Sequence, residues 1–270
     1  MKQSYVPMLS KSRFLAGLHC PLNLWYQCYK RDLASDVSPA QQGIFDMGHE
    51  VGRLATKLYP GGVHIEEDHL HHKEAVQSTL AAMKDPNVAA IYEAAFISDG
   101  VRIRVDILER LNDGAWNLIE VKSATSVKDL YLPDIAVQYH VLTGSGLHIH
   151  TAGILHLNNQ YVYDGNQLDL NGLFTFSDLT EEVLDLQNNI PSQLAELNEM
   201  LAEKNPPAIY PSRDCISPYK CGFWEHCTAD MPKYWVMRLG GISQTKFNQL
   251  VEMGIEDIAQ IPDSFPLSAL

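Results

Sequence analysis

The sequence predicts a mixed α/β fold, a central sheet flanked by helices, and three observations carry that prediction. Helical periodicity runs through the first part of the chain, most clearly in Ile44, Met47, Val51, Leu54 and Leu58. Three apolar or alternating stretches follow at 88–97, 101–110 and 116–121, separated by Asp99-Gly100 and Asn112-Asp113-Gly114. Helical and strand-like segments then alternate. The 270 residues suffice for one large domain with a small appendage, and a core of that size needs no disulfide or metal merely to fold.

Each element has its own signal. Residues 10–29 read as helical, with Phe14, Leu15 and Leu18 on one face and Pro21 interrupting. A second helix at 43–59 is stopped by Pro60-Gly61-Gly62. A third covers 69–84 and ends at Asp85-Pro86, with His69, His71 and His72 as its solvated start. The three stretches after it form a meander, because Asp-Gly and Asn-Asp-Gly are strong hairpin signals. Residues 127–142 should be helical beyond Pro133, and 149–157 and 161–163 should be strands around Asn158-Asn159. One long acidic helix is expected at 179–203, its charge forming a solvated face. Pro206, Pro207, Pro211 and Pro218 then accompany three cysteines in 205–230. A small helical pair at 240–261 opens its halves with Gly241-Ile242 and Gly254-Ile255. The apolar ending Phe265-Pro266-Leu267 suggests a truncated chain, a natural terminus being the alternative.

Composition excludes some functions. The net charge of −13 argues against a protein that coats nucleic acid through bulk charge. It leaves open an enzyme that meets nucleic acid in one locally basic groove or through metal ions. No apolar run approaches the roughly 18 residues of a membrane span. The start, residues 1–14, lacks the apolar stretch of a secretory signal, so a cytoplasmic protein without membrane partners is expected. Five cysteines, an odd number, argue against a fully paired disulfide framework and for a metal or cluster site.

The strongest chemical signal lies in the meander. Asp106 sits in Arg-Val-Asp-Ile-Leu, and Glu120 and Lys122 in Ile-Glu-Val-Lys on the next strand. Residues two apart on a strand face one side, so Glu120 and Lys122 project together, and the hairpin can bring Asp106 beside Glu120. Two converging carboxylates make a hard-oxygen site suited to Mg²⁺ or Mn²⁺. A lysine beside them can orient a water and stabilise charge developing on a phosphoryl group. An exposed strand face with a cross-strand ion pair would show the same Glu-x-Lys. Leu118, Ile119, Val121, Val105 and Ile107 weigh against that, since acids embedded in apolar strands usually have a partner or a metal.

The arrangement resembles the PD-(D/E)XK nuclease superfamily: an acid on one strand, then acid-x-lysine on the next. The resemblance implies a restriction-endonuclease-like central mixed sheet. His49, in Met-Gly-His-Glu-Val-Gly, stands where the RecB-like branch carries a metal-binding histidine. Gln138 and Tyr139 follow the lysine strand, where that branch has a Gln-x-x-x-Tyr element; here Leu142 occupies the fourth position after Gln138. By this resemblance His49, Asp106 and Glu120, with the Val121 carbonyl, would bind Mg²⁺ or Mn²⁺, and Lys122 would position the attacking water. Glu93 is either a further acid of the site or a strand-edge glutamate. Lys11, Arg13, Arg102, Arg104, Lys128 and Lys220 are phosphate-contact candidates or plain surface charges.

Cys215, Cys221 and Cys227 are evenly spaced, five residues intervening each time, and Cys20 lies far upstream. Four thiolates can close a zinc site or an iron–sulfur cluster, and spacing alone does not choose. Ser10-Lys-Ser-Arg-Phe followed by Cys20-Pro, with the later trio, is similar to the iron–sulfur RecB-like nucleases, which include CRISPR-associated exonucleases and the AddB nuclease domain. The resemblance implies a 4Fe–4S cluster on Cys20, Cys215, Cys221 and Cys227, joining the N- and C-terminal segments of a domain spanning 1–235. Cys28 is left as a buried thiol. Residues 236–270 would form a helix-hairpin-helix-like tail, or a simple helical linker. The expected activity is a metal-dependent nuclease on single-stranded DNA or DNA ends. The alternatives are a nucleic-acid-binding or scaffold module that keeps the fold and cluster without cutting, and a zinc-stapled interaction domain.

Overall fold

The computed structural model describes residues 6–267 and divides the chain into two compact units. The first comprises the chain up to Leu18 and Ser38–Lys204; the second comprises His19–Val37 and the chain from Asn205.

The fold is mixed α/β, as its periodicities require. Elements in chain order begin with β1 (Leu9–Ser10), α1 (Lys11–His19) and α2 (Pro21–Tyr29). The expected helix at 10–29 is thus two, because Pro21 stands at the first helical position of α2, where its missing N–H is harmless. Next come α3 (Pro39–Ala55), capped by the Ser38 side chain, β2 (Val63–His64) and α4 (His72–Lys84). The meander follows as β3 (Ala90–Ser98), β4 (Val101–Arg110) and β5 (Trp116–Lys122), antiparallel throughout. Asp99 and Gly100 both take positive φ, 49° and 72°, the pair of left-handed residues a tight hairpin needs.

From β5 the chain crosses through α5 (Leu132–Gly144) to β6 (Ile149–Leu157), which lies parallel to β5. After α6 (Leu170–Leu173) the edge strand is β7 (Phe174–Asp178), antiparallel to β6. The strand order is β2-β3-β4-β5-β6-β7, with β1 added alongside β4. The strand expected at 161–163 is instead a loop: Val162 is 84% exposed, and the Tyr163 hydroxyl donates to the Asn166 carbonyl. The expected helix at 179–203 is broken into α7 (Thr180–Leu186) and α8 (Ile190–Ala202), with Pro191 in the first turn of α8. His72 is buried, its Nε2 3.2 Å from the Phe96 carbonyl, so only His69 and His71 are solvated.

The sheet is covered on both faces. Val51 and Ala55 of α3 pack on Ile107, Ile119 and Leu155. Helix α5 covers the other face with Ile135, Ala136, Val137, Val141 and Leu142 buried. None of the described helices is long and apolar enough to cross a membrane.

The second unit contains α2, α9 (Trp224–Cys227) and α10 (Gln244–Glu252). Its core gathers Trp235, Val236, Ile242, Phe247, Leu250 and Ile255, with Tyr210 and Trp224 against them. Val236, Ile242, Phe247, Leu250 and Ile255 share this core with Trp235.

Candidate active site

Strand β4 is shared along one edge. Strand β1 pairs with its start, at Val101 and Arg102, and β5 with its end, from Ile107 to Arg110. Beyond Ile119, strand β5 keeps its pairing with β6 through Lys122 but no longer pairs with β4. The Asp106 side chain fills part of that opening, its Oδ2 accepting the Val121 N–H at 2.7 Å. Ile107 opposite Ile119 puts Asp106 and Glu120 on one face of the sheet, the face that α5 covers. Across the other edge, β3 breaks step at Glu93, whose φ of 55° is a left-handed conformation unusual for a non-glycine residue. Glu93 pairs with Arg104 at 3.1 Å, and its charge adds to the field at Asp106.

Glu120 is 3% exposed, and both of its carboxylate oxygens are occupied. Oε1 accepts from Lys122 Nζ at 2.7 Å and from Lys11 Nζ at 3.0 Å. Oε2 accepts from Lys11 Nζ at 3.0 Å and from Gln138 Nε2 at 2.8 Å. A third acid, Asp134 of α5, completes the cluster. It takes Lys122 Nζ at 2.7 Å and Gln138 Nε2 at 3.1 Å, and lies 3.4 Å from Lys11 Nζ. The Lys122 ammonium also lies 5.4 Å from the centre of the Tyr131 ring.

The electrostatics divide the acids. Burial raises the Glu120 carboxyl, but Lys11 and Lys122 outweigh it and hold the group below the usual carboxylate range. Burial and then the Glu120 charge push Asp106 up to about 7. The same two causes raise Asp134. Burial acts to lower both lysines, yet the surrounding carboxylates raise them. Three carboxyl groups thus face two ammonium groups, and Asp106 and Asp134 hold their protons more tightly than free carboxyls do, while Glu120 carries the charge.

This donor set fits a divalent cation of the Mg²⁺ or Mn²⁺ kind, because its donors are hard carboxylate oxygens, three carboxyl groups against two ammonium groups. The Gln138 Oε1 atom is buried without a hydrogen-bond partner, and turning the amide would set that oxygen against two carboxylates. It therefore stands as an open acceptor inside the cluster.

The structure brings together Asp106, Glu120, Lys122, Gln138 and the Val121 backbone. It does not bring His49 to them: His49 is exposed on α3, whose buried residues pack on the opposite face of the sheet. Tyr139 is half-buried one residue beyond Gln138, about 100° further round α5. The sequence reading missed Asp134 and Lys11's place in the cluster. Asp134 had a signal, since Asp-x-x-x-Gln puts both side chains on one helix face. Lys11 had none, its contact spanning 109 positions along the chain.

In the second unit, Cys20, Cys215, Cys221 and Cys227 line one cavity beside Tyr26 and Trp224, and Cys28 lies outside it. Burial raises Cys215, Cys221 and Cys227, and the neighbouring thiolates raise them further, Cys227 to about 11. Thiols that repel one another's ionisation in this way suit a thiophilic metal centre, which relieves the repulsion. The described cysteines form no disulfide, and no three described His, Cys, Asp or Glu side chains stand in ligating geometry.

No family model matches the chain, and no curated protein matches it. Among solved structures it is similar to the crystal structure of LHK-Exo in complex with dAMP. The identity is 14% and the TM-score 0.38, over 73% of this chain and 90% of that one.

Proposed function

We propose that this protein is a metal-dependent nuclease that hydrolyses phosphodiester bonds of DNA, acting on single strands or ends. The observation that carries the reading is the cluster of Asp106, Glu120 and Lys122, with Glu120 buried at its centre, where β5 leaves β4. Asp106, Glu120 and the Val121 carbonyl would hold Mg²⁺ or Mn²⁺; Val121 already turns its N–H, and so that edge of its backbone, to Asp106. Such an ion, when bound, supplies Lewis acidity and makes a water more acidic. His49, exposed on α3, is left out of this set.

The chain's own residues supply the rest. Lys122 offers a fixed positive charge toward the scissile phosphate and orients the attacking water. Asp134 and Gln138 hold Lys122 and Glu120 in place, so the lysine is positioned before substrate arrives. Gln138 Oε1 accepts a hydrogen bond from that water or from the substrate. In the second unit, Cys20, Cys215, Cys221 and Cys227 would hold a 4Fe–4S cluster with a structural role.

The test is degradation of end-labelled single-stranded DNA with Mn²⁺ by anaerobically purified protein, beside Lys122→Ala and Glu120→Ala. We expect cleavage by the wild type and a loss of at least about a hundredfold in each variant. DNA binding without turnover in folded, metal-supplied wild type would replace this reading with that of a binding module.

A further inference from the structure

Lys11 has no part in the mechanism above, yet it makes the most central contact in the acid cluster. Its Nζ lies 3.0 Å from each Glu120 oxygen and 3.4 Å from Asp134 Oδ1, and it lies within the field of Asp106. With Lys122 and Gln138 also bound to Glu120, that carboxylate has no oxygen left open to a metal ion. We infer that Lys11 is the resident cation of the cluster: its ammonium holds the place a divalent ion takes, and the ion binds by displacing it. The inference rests on the metal-dependent reading above and deepens it.

The geometry distinguishes Lys11 from Lys122. Lys122 projects from a strand paired along its length to β6 and is pinned between Glu120 and Asp134 at 2.7 Å from each. Lys11 follows β1, a strand of two residues, and its contacts to the cluster are the longer ones. Its side chain is 22% exposed, much as that of Lys122 is at 23%, so the long stem has a route to solvent and the difference between the two lies in their contacts. Removing all positive charge from the cluster would leave buried, unpaired carboxylates, which is costly. An exchangeable ammonium satisfies them until a metal arrives.

The experiment uses the full chain and Mn²⁺ alone. Calorimetry would measure Mn²⁺ binding to the wild type, Lys11→Met, Lys11→Arg and Glu120→Gln. Reductive methylation with mass spectrometry would read Lys11 labelling in the wild type with and without Mn²⁺. We expect Lys11→Met to bind Mn²⁺ at least about tenfold more tightly than the wild type, as loss of a competing unit charge at this distance requires. Lys11→Arg should stay near the wild type, Glu120→Gln should lose binding, and Mn²⁺ should speed methylation of Lys11 alone. Equal or weaker binding by Lys11→Met, or tight binding by Lys11→Arg, would overturn the displacement. If Lys11→Met fails to fold, unchanged Lys11 labelling in Mn²⁺-bound wild type overturns it equally. Absence of Mn²⁺ binding in both the wild type and a folded Lys11→Met would sink the metal-dependent reading itself, and the displacement with it.

Discussion

Burying Glu120 at 3% exposure is tolerable only because two ammonium groups and an amide meet its oxygens. The same reasoning gives a different result at His72, which has one acceptor for its proton and positive neighbours. Burial lowers its pKa, the Phe96 carbonyl raises it, and Arg102 and Arg104 lower it again, leaving it below the ordinary histidine value. The folded chain therefore binds this proton less tightly than the unfolded one. Stability from a neutral His72 is full above the unfolded value, near ~6.5, and is lost as pH falls below it toward the folded pKa. His72→Gln keeps a donor for Phe96 and removes the titration. Denaturation from pH 7.5 to pH 5 should show the wild type losing stability faster than His72→Gln. A pH-independent gap between the two would refute the assignment, whatever the size of the gap.

At the scale of elements, the sheet supports the cluster from behind, and β6 is its most constrained member. Gly153 lies opposite Ile119 on one side and Asp178 on the other. A Cβ there would collide with the Ser177 carbonyl oxygen and come within 2.7 Å of the Phe176 ring. Backbone cannot yield as a flexible side chain does, so Gly153→Ala should destabilise the protein by about 1–3 kcal/mol. Urea denaturation measures it, and an unchanged midpoint would mean that β7 shifts without cost. The meander was legible in the sequence because its turns carry Asp-Gly and Asn-Asp-Gly and its strands are long; the helix and strand after it were legible too, but not that they form a parallel crossover. Strands β1 and β2, of two residues each, are too short for any periodicity, yet β1 delivers Lys11. Strand β7 went unread because Phe174 is buried while Phe176 is exposed over Gly153, a pattern that burial alone does not explain. In the cluster, alternation on one strand revealed Glu120 and Lys122. The lysine and the helix acid that complete it come from elements whose approach only the fold determines.

For the molecule as a whole, a net charge of −13 and an acid cluster mean that DNA, the substrate proposed above, would approach against the overall field. In the proposed reaction divalent ions would then serve approach as well as chemistry, and affinity should be weak without them. The second unit poses a different whole-chain problem, since it is assembled from His19–Val37 and the chain from Asn205. One thiol of its cavity comes from the first segment and three from the second. A centre bound by all four ties residues roughly two hundred apart, and a single cross-link over such a loop removes unfolded-state entropy worth about 5 kcal/mol. Without it, the unit depends on the core around Trp235 and Phe247. We therefore expect anaerobically prepared protein to carry about four iron and four sulfide per chain. Cys221→Ser should lose both, together with a large part of the unit's thermal stability. Colourless protein holding one zinc and no sulfide would reject the cluster while keeping the cross-link. Full stability in metal-free protein would reject the cross-link as well, and would leave the four thiols as a packed, inert group.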